Sequence, residues 1–64
     1  MEYSIEHYNY EWVRFKVMIE KNSFEIHYGQ LKEIHRYPNN SPHEDIAVVI
    51  EKNNQIVIPM SYIY

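Results

Sequence analysis

The sequence predicts an all-β protein, a small barrel of about five antiparallel strands with a bent second strand. Apolar and polar residues alternate along residues 12–28, as they do in half-buried strands. Residues 45–60 hold two apolar runs around an asparagine-rich turn, and the only glycine, Gly29, lies inside the longest strand-like stretch. A chain of 64 residues forms one compact domain, with residues 1–11 as an N-terminal arm and residues 12–64 as the barrel.

The first predicted strand covers residues 12–20 and shows two distinct faces. The polar turn 20–23 follows it, and Asn22 can take the positive φ that a tight hairpin needs. Strands 12–20 and 23–37 are therefore expected to be antiparallel neighbours. One face of the first strand is apolar, with Val13, Phe15, Val17 and Ile19, and the other carries Trp12, Arg14, Lys16 and Met18.

The second predicted strand covers residues 23–37 and bends at Gly29. Phe24, Ile26 and Tyr28 form its apolar face, and beyond Gly29 the apolar phase shifts by one residue, as at a bulge. Glycine lacks a Cβ, so it can adopt strained dihedrals or let another backbone pack closely. Residues 31–37 also have helical spacing, but a helix that short, ending at Pro38, is weak, so we predict a strand.

The remaining segments complete the predicted barrel. Residues 38–44, with two prolines and two asparagines, form an exposed loop of the kind in which functional residues often lie. Residues 45–51 are apolar on both faces, which predicts a central strand. After the turn 52–55, Pro59 makes strand 56–60 an edge strand or ends it, and residues 61–64 form a turn and closing strand.

Residues 1–11 fit two patterns. Ile5, Tyr8 and Trp12 have the spacing of a helix, whereas Tyr8, Tyr10 and Trp12 fit a strand that continues into the next element. The segment is expected either to pack its aromatic rings over one end of the barrel or to offer an acidic, tyrosine-bearing surface to a basic partner.

Charge and composition favour a protein partner over nucleic acid. The net charge of −3 resides in residues 1–11, because residues 12–64 hold six basic and six acidic side chains. No basic cluster marks a phosphate-binding surface, while seven tyrosines and one tryptophan are typical of contact surfaces. We therefore predict a small protein-binding regulator or inhibitor, of a kind that also fits a phage-encoded inhibitor of a host or defence protein. The predicted contact residues are Glu2, Glu6, Tyr8, Tyr10, Glu11 and Trp12.

Other functional classes lack their motifs. The chain has no cysteine for a disulfide, a thiolate nucleophile or a thiolate zinc site, and its four histidines lack ligand spacing. With one glycine and no nucleophile motif, phosphate cradles and common catalytic sites are not expected. The sequence predicts no enzyme activity, metal or cofactor. It also predicts a cytoplasmic location, since no signal-like start and no membrane-length apolar run occurs.

Two family resemblances follow from particular segments. Residues 17–34, a strand, a turn and Gly29 before a leucine pattern, resemble the first motif of Sm proteins; residues 55–63, with their isoleucine-proline pair, resemble the YolD-like proteins of Gram-positive bacteria and their phages. The resemblance, over about residues 17–63, implies an SH3-like or Sm-like barrel. The YolD likeness implies a regulatory protein partner.

The Sm likeness implies an alternative function, the binding of single-stranded nucleic acid. Sm proteins have an Asp where His35 stands here, and Asn39 or Asn40 falls near their RNA-contacting loop asparagine. Aromatic and polar side chains of this kind stack on and hydrogen-bond to bases. The alternative site comprises His35, Arg36, Tyr37, Asn39 and Asn40. Exposed strand edges and a doubly apolar strand further predict a homo-oligomer, most simply a dimer.

Overall fold

A computed structural model describes residues 3–64, which form four antiparallel strands and a short 3-10 helix. The elements are β1 (Ser4–Glu20), β2 (Ser23–Arg36), β3 (Ile46–Glu51), β4 (Asn54–Pro59) and the 3-10 helix Met60–Tyr62. The strands follow one another across a single sheet in the order β1-β2-β3-β4. No helix within residues 3–64 has the length and apolar character needed to cross a bilayer. The all-β prediction is confirmed.

The sheet is open, so a closed barrel of about five strands is not confirmed. Beyond β4, the chain contributes one isolated antiparallel bridge, between Ile63 and Phe15, in place of a fifth strand. The amide of Tyr64 also donates a hydrogen bond of 3.1 Å to the carbonyl of Arg14. The C-terminus therefore adds a single backbone bridge to the free edge of β1 and not a full strand.

Both hairpin turns form where the asparagines predict them. Glu20 pairs with Ser23 across the first turn, and Asn22 has a φ of 65°. In the second turn Lys52 and Asn53 have φ values of 49° and 67°, which are the left-handed dihedrals of a two-residue type I′ hairpin. Asparagine tolerates these dihedrals because its short side chain hydrogen-bonds locally.

Residues 4–11 belong to β1 and do not form a separate arm. Pairing with β2 runs from Ser4 opposite Arg36 to His7 opposite Glu33, and it resumes at Glu11 after an irregularity. Tyr10 lies in that irregularity with a φ of 57°. The strand alternative is thus the observed one, while Glu2 lies outside the described residues.

The irregularity in β2 lies at Lys32, three residues beyond the predicted bend. Pairing with β3 passes from Leu31 to Glu33 without Lys32, and pairing with β1 breaks opposite the same residue. Gly29 has no positive φ. Pairing with β1 runs unbroken from Tyr28 through Gly29 to Leu31, so the phase shift and the strained dihedrals predicted at Gly29 are both wrong, and the shift that does occur lies at Lys32.

Gly29 is required instead for a close backbone approach. A Cβ at this position would lie 2.7 Å from the Ile50 carbonyl oxygen, 2.8 Å from Val49 Cγ1 and 3.2 Å from Phe15 Cε1. Because real Cβ atoms do not approach other atoms so closely, only glycine fits here.

The core lies on one face of the sheet. The face of β2 that turns toward this core is the opposite of the predicted one. Phe15 pairs with His27 and Val13 with Gly29, so His27 and Gly29 lie on the inner face of β2. Phe24, Ile26 and Tyr28 consequently point outward and are exposed, as is Ile19 on β1. β3 is central and β4 is an edge strand ending at Pro59, both as predicted. The buried cluster comprises Phe15, Leu31, Ile34, Ala47, Val49 and Ile58.

Adding one methyl group at Gly29 should destabilise the protein. Gly29→Ala forces β2 away from β3 or displaces Phe15, and overpacking of this kind costs about 1–3 kcal/mol. In a domain of this size each kcal/mol lowers the Tm by about 4–8 °C. Thermal unfolding followed by circular dichroism should show that loss, with a larger one for Gly29→Val, whereas Ser23→Ala on the same strand serves as a mild control. An unchanged Tm for Gly29→Ala would contradict the close approach.

The open edge of β4 predicts self-association. An unpaired edge strand offers backbone donors and acceptors to a second chain, and exposed Val57 adds apolar area beside it. Light scattering across a dilution series should give a dimer mass that falls on dilution, and Val57→Lys should lower the dimer fraction. A monomer mass at high micromolar concentration would remove this prediction.

Candidate functional site

Glu6 and Tyr8, two of the predicted contact residues, are engaged in an internal polar cluster. Glu6 Oε2 accepts a hydrogen bond of 2.7 Å from Arg36 Nε, and Glu6 Oε1 accepts one of 3.0 Å from the Tyr8 hydroxyl. The Arg36 bond, followed by the Tyr8 bond, holds the pKa of Glu6 below its ordinary value, and Glu6 raises the pKa of Arg36 in turn. The Tyr8 ring packs against the core. These two side chains therefore join β1 to the end of β2.

Asp45 extends this cluster to the loop and the 3-10 helix. Its Oδ2 accepts a hydrogen bond of 3.2 Å from Arg36 Nη1, and its Oδ1 accepts one of 3.0 Å from the Tyr37 amide. Its backbone carbonyl accepts the Met60 amide at 2.9 Å. Asp45, just before β3, thus binds the chain just after β2, at Tyr37, and just after β4, at Met60.

The residues of the nucleic-acid alternative lie near one another but are largely committed to internal contacts. The Tyr3 hydroxyl is hydrogen-bonded to His35 Nδ1, and His35 Nε2 lies 2.9 Å from Glu33 Oε1. The half-buried Tyr37 ring lies between those of Tyr3 and His43, with centroids 5.0 and 5.2 Å away. Asn39 and Asn40 are exposed in the loop, and Arg36 is held by Glu6 and Asp45.

His27 lies between two carboxylates at the margin of the core. Its Nδ1 is 2.6 Å from Glu51 Oε2, and its Nε2 is 3.1 Å from Glu25 Oε1. Only the imidazolium can donate from both nitrogens, so the geometry favours the charged form. The Glu51 bond, with Glu25 second, accordingly raises the pKa of His27.

The exposed surface lies on the outer side of the first hairpin. We call it the hairpin face: the alternate residues from Trp12 to Met18 on β1 and from Phe24 to Gln30 on β2. Trp12 is 71% exposed, Tyr28 60% and Ile26 50%, although these are large apolar side chains. A contiguous apolar surface of this kind on a small protein marks an interaction site.

Aromatic rings hold the cations of the hairpin face in place. Lys16 Nζ lies 4.8 Å from the centre of the Phe24 ring and 5.2 Å from that of Tyr62. Arg14 Cζ lies 4.7 Å from the centre of the Tyr64 ring. Cation–π contacts of this kind orient the two side chains while their charge stays available to a partner.

A cleft opens at the end of the hairpin face beside the second turn. It has a volume of about 420 Å³, within the range of pockets that hold a ligand or an anchoring side chain. Trp12 belongs to both the cleft and the hairpin face, so the two form one surface. The cleft is lined by Trp12, Tyr28, Gln30, Ile50, Glu51, Lys52 and Asn53.

The sequence-based contact set thus overlaps the exposed surface mainly at Trp12. Tyr10 and Glu11 are exposed at the irregularity of β1, whereas Phe24, Ile26 and Tyr28 lie outside the predicted set because their apolar alternation suggested the core. Gly29 was the signal in the sequence that could have identified the inner face of β2, because the face that carries the glycine is the one against which the Phe15 ring packs.

No protein-family model, curated protein or solved structure matches the chain. The likeness to Sm and YolD-like proteins therefore stays a prediction. Within residues 3–64, no group of three or more histidine, aspartate or glutamate side chains is arranged to hold a metal ion.

The His27 cluster predicts a pH-dependent stability. Because the pKa of His27 is raised on folding, its contribution is fully present below the unfolded value of about 6.5 and is lost as the pH rises through the folded value. Urea denaturation between weakly acidic and weakly basic pH should show this loss in the free energy of unfolding. His27→Gln should flatten the profile, and His43→Gln, in the exposed loop, should leave it unchanged. Equal profiles for wild type and His27→Gln would contradict the assignment.

Proposed function

We propose that this protein is a small binding module that regulates or inhibits another protein through its hairpin face. The observation that carries the proposal is the exposure of Trp12, Tyr28 and Ile26 on one rigid two-stranded surface. Tryptophan and tyrosine supply large contact area at low entropic cost and dominate the energetics of interfaces.

The surrounding contacts support a preorganised surface. Arg14 and Lys16 are oriented by Tyr64 and by the Phe24 and Tyr62 rings, and the strands beneath are joined by continuous pairing from Glu11 to Met18. A surface that is already ordered loses less entropy on binding. We further propose that the bridge between Ile63 and Phe15 begins the closing strand of a small barrel of about five strands.

The composition of the hairpin face favours protein over single-stranded nucleic acid. Met18 and Ile26 have no π-face on which a base could stack, yet they are about as exposed as the aromatic residues around them. In the alternative site the guanidinium of Arg36 is held by two carboxylates, which reduces its value for a phosphate.

Truncating the aromatic anchors should weaken partner binding by about 30-fold or more. Trp12→Ala with Tyr28→Ala removes exposed side chains, so folding is retained, while removal of a central interface anchor costs about 2 kcal/mol or more, about a 30-fold loss of affinity. The assay is capture from a bacterial lysate by immobilised protein, run with and without nuclease treatment and followed by affinity measurement with the purified captured protein.

Point variants are preferred to truncation of the N-terminal segment, because residues 4–7 and 11 pair with β2. Val57→Ala, at an exposed apolar residue of β4, is the matched control and should bind as wild type. Equal capture by the double variant, or retention of nucleic acid that depends on Tyr37 and Arg36, would contradict the proposal.

A further inference from the structure

We propose that the partner of the hairpin face is an acidic protein surface, with aspartate or glutamate side chains around an apolar anchor that enters the cleft. This inference rests on the proposed protein-binding function and specifies the chemistry of the partner. It reverses the expectation of a basic partner, which depended on the acidic residues at the start of the chain.

The two signs of charge are separated between the faces of the sheet. Glu25 lies opposite Val17, and Glu51 lies two residues from buried Val49, so the register places both on the inner face. His27 contacts both carboxylates, including that of Glu51, which also lines the cleft. Glu6 and Asp45 are paired with Arg36. Internal partners thus compensate most of the acidic charge that surrounds the core.

Glu33 is the carboxylate on the outer side of β2, and it too has internal partners. It lies opposite Val48, its Oε1 is 2.9 Å from His35 Nε2, and its Oε2 is 3.5 Å from His7 Nδ1. His35 holds the pKa of Glu33 below its ordinary value. Both of its carboxylate oxygens are therefore engaged by histidines.

The cations of the outer side have no such partners. Arg14 and Lys16 lie on the hairpin face, where no carboxylate alternates with them, and Arg36 is the only lysine or arginine of residues 3–64 in an ion pair. Lys32 Nζ donates a hydrogen bond of 3.1 Å to Gln55 Oε1. Gln55 is in the same cross-strand row as Trp12, by way of Gln30 and Ile50, so Lys32 reaches the side of the sheet that carries Trp12.

Lys52 completes the arrangement at the margin of the cleft. A partner that inserts an aromatic or aliphatic side chain between Trp12 and Tyr28 would bring its neighbouring residues within reach of Lys52 on one side and Arg14 on the other. Carboxylates at those places satisfy the uncompensated cations, and electrostatic complementarity of this kind selects partners and accelerates association.

A compact acidic protein surface fits this pattern better than a nucleic acid strand. The cationic area is local, whereas exposed Glu11 and Glu20 lie at the two ends of the hairpin and the whole chain carries −3. A phosphate backbone extends past the cations into this acidic surround and is repelled there.

The test uses defined probes. A random-sequence peptide library is selected on the immobilised full chain and counter-selected on Trp12→Ala with Tyr28→Ala, and the affinities of enriched peptides are measured by fluorescence anisotropy beside oligothymidylate and oligouridylate. We expect acidic peptides with an aromatic or aliphatic anchor. Their affinity should fall as salt rises from about 50 mM to about 500 mM, because screening weakens exposed charge pairs.

Charge variants then separate the two proposals. Arg14→Glu with Lys16→Glu should weaken the peptides about 10-fold or more and the neutral pair Arg14→Gln with Lys16→Gln by less, while Lys21→Glu in the first turn should change affinity less than about 3-fold. Circular dichroism confirms that each variant is folded.

Two results would overturn the inference. Enriched peptides that need Trp12 but are neutral or basic, and insensitive to the charge variants, would refute the acidic partner and leave the binding function intact. Peptides indifferent to Trp12 and Tyr28, or tighter binding of either oligonucleotide, would refute both.

Discussion

The approach of β2 to β3 at Gly29 is the constraint on which the rest of the structure depends. With no Cβ, the chain lies against the Ile50 carbonyl and Val49 side chain while the Phe15 ring, fully buried, occupies the space beside it. This contact decides which face of β2 turns inward. Since successive side chains alternate between faces, the same contact turns Phe24, Ile26 and Tyr28 outward. The core and the hairpin face are therefore two results of one packing requirement.

At the far end of the sheet, charge pairs and hydrogen bonds add to the apolar packing of Ile34, Ala47 and Ile58. Arg36 joins Glu6 on β1 to Asp45 at the start of β3, and Asp45 continues to the backbone of Tyr37 and Met60. Between the Gly29 contact and this polar end, the pairing of β2 shifts at Lys32, which has no cross-strand partner on β1 or on β3. A shift of this kind twists and bends strands locally, so the polar end can fold back toward the 3-10 helix.

Local chemistry made much of the fold predictable. Asn22 and Asn53 mark the two turns because asparagine adopts positive φ readily, and the doubly apolar run in residues 45–51 marks the central strand. The orientation of β2 was not predictable by the same means, because both of its faces carry residues that can be buried. The Glu6–Arg36 pair joins residues thirty positions apart, and no local pattern reports such a contact. The exposure of Trp12 was accordingly expected from the sequence, whereas that of Tyr28 was not.

Net charge is a poor guide to the partner of a small sheet protein when its carboxylates have internal cations. The segment 1–11 holds the whole excess of acidic residues in the sequence, yet the carboxylate of Glu6 is bound to Arg36. His27 and His35 similarly contact glutamates and leave Arg14 and Lys16 without a counter-charge on the opposite side. A partner encounters the charges of the face it touches, and beyond about 10 Å the others are screened at moderate salt. For the binding function proposed above, the sign of the exposed face is therefore a better guide to the partner than the sum over the chain.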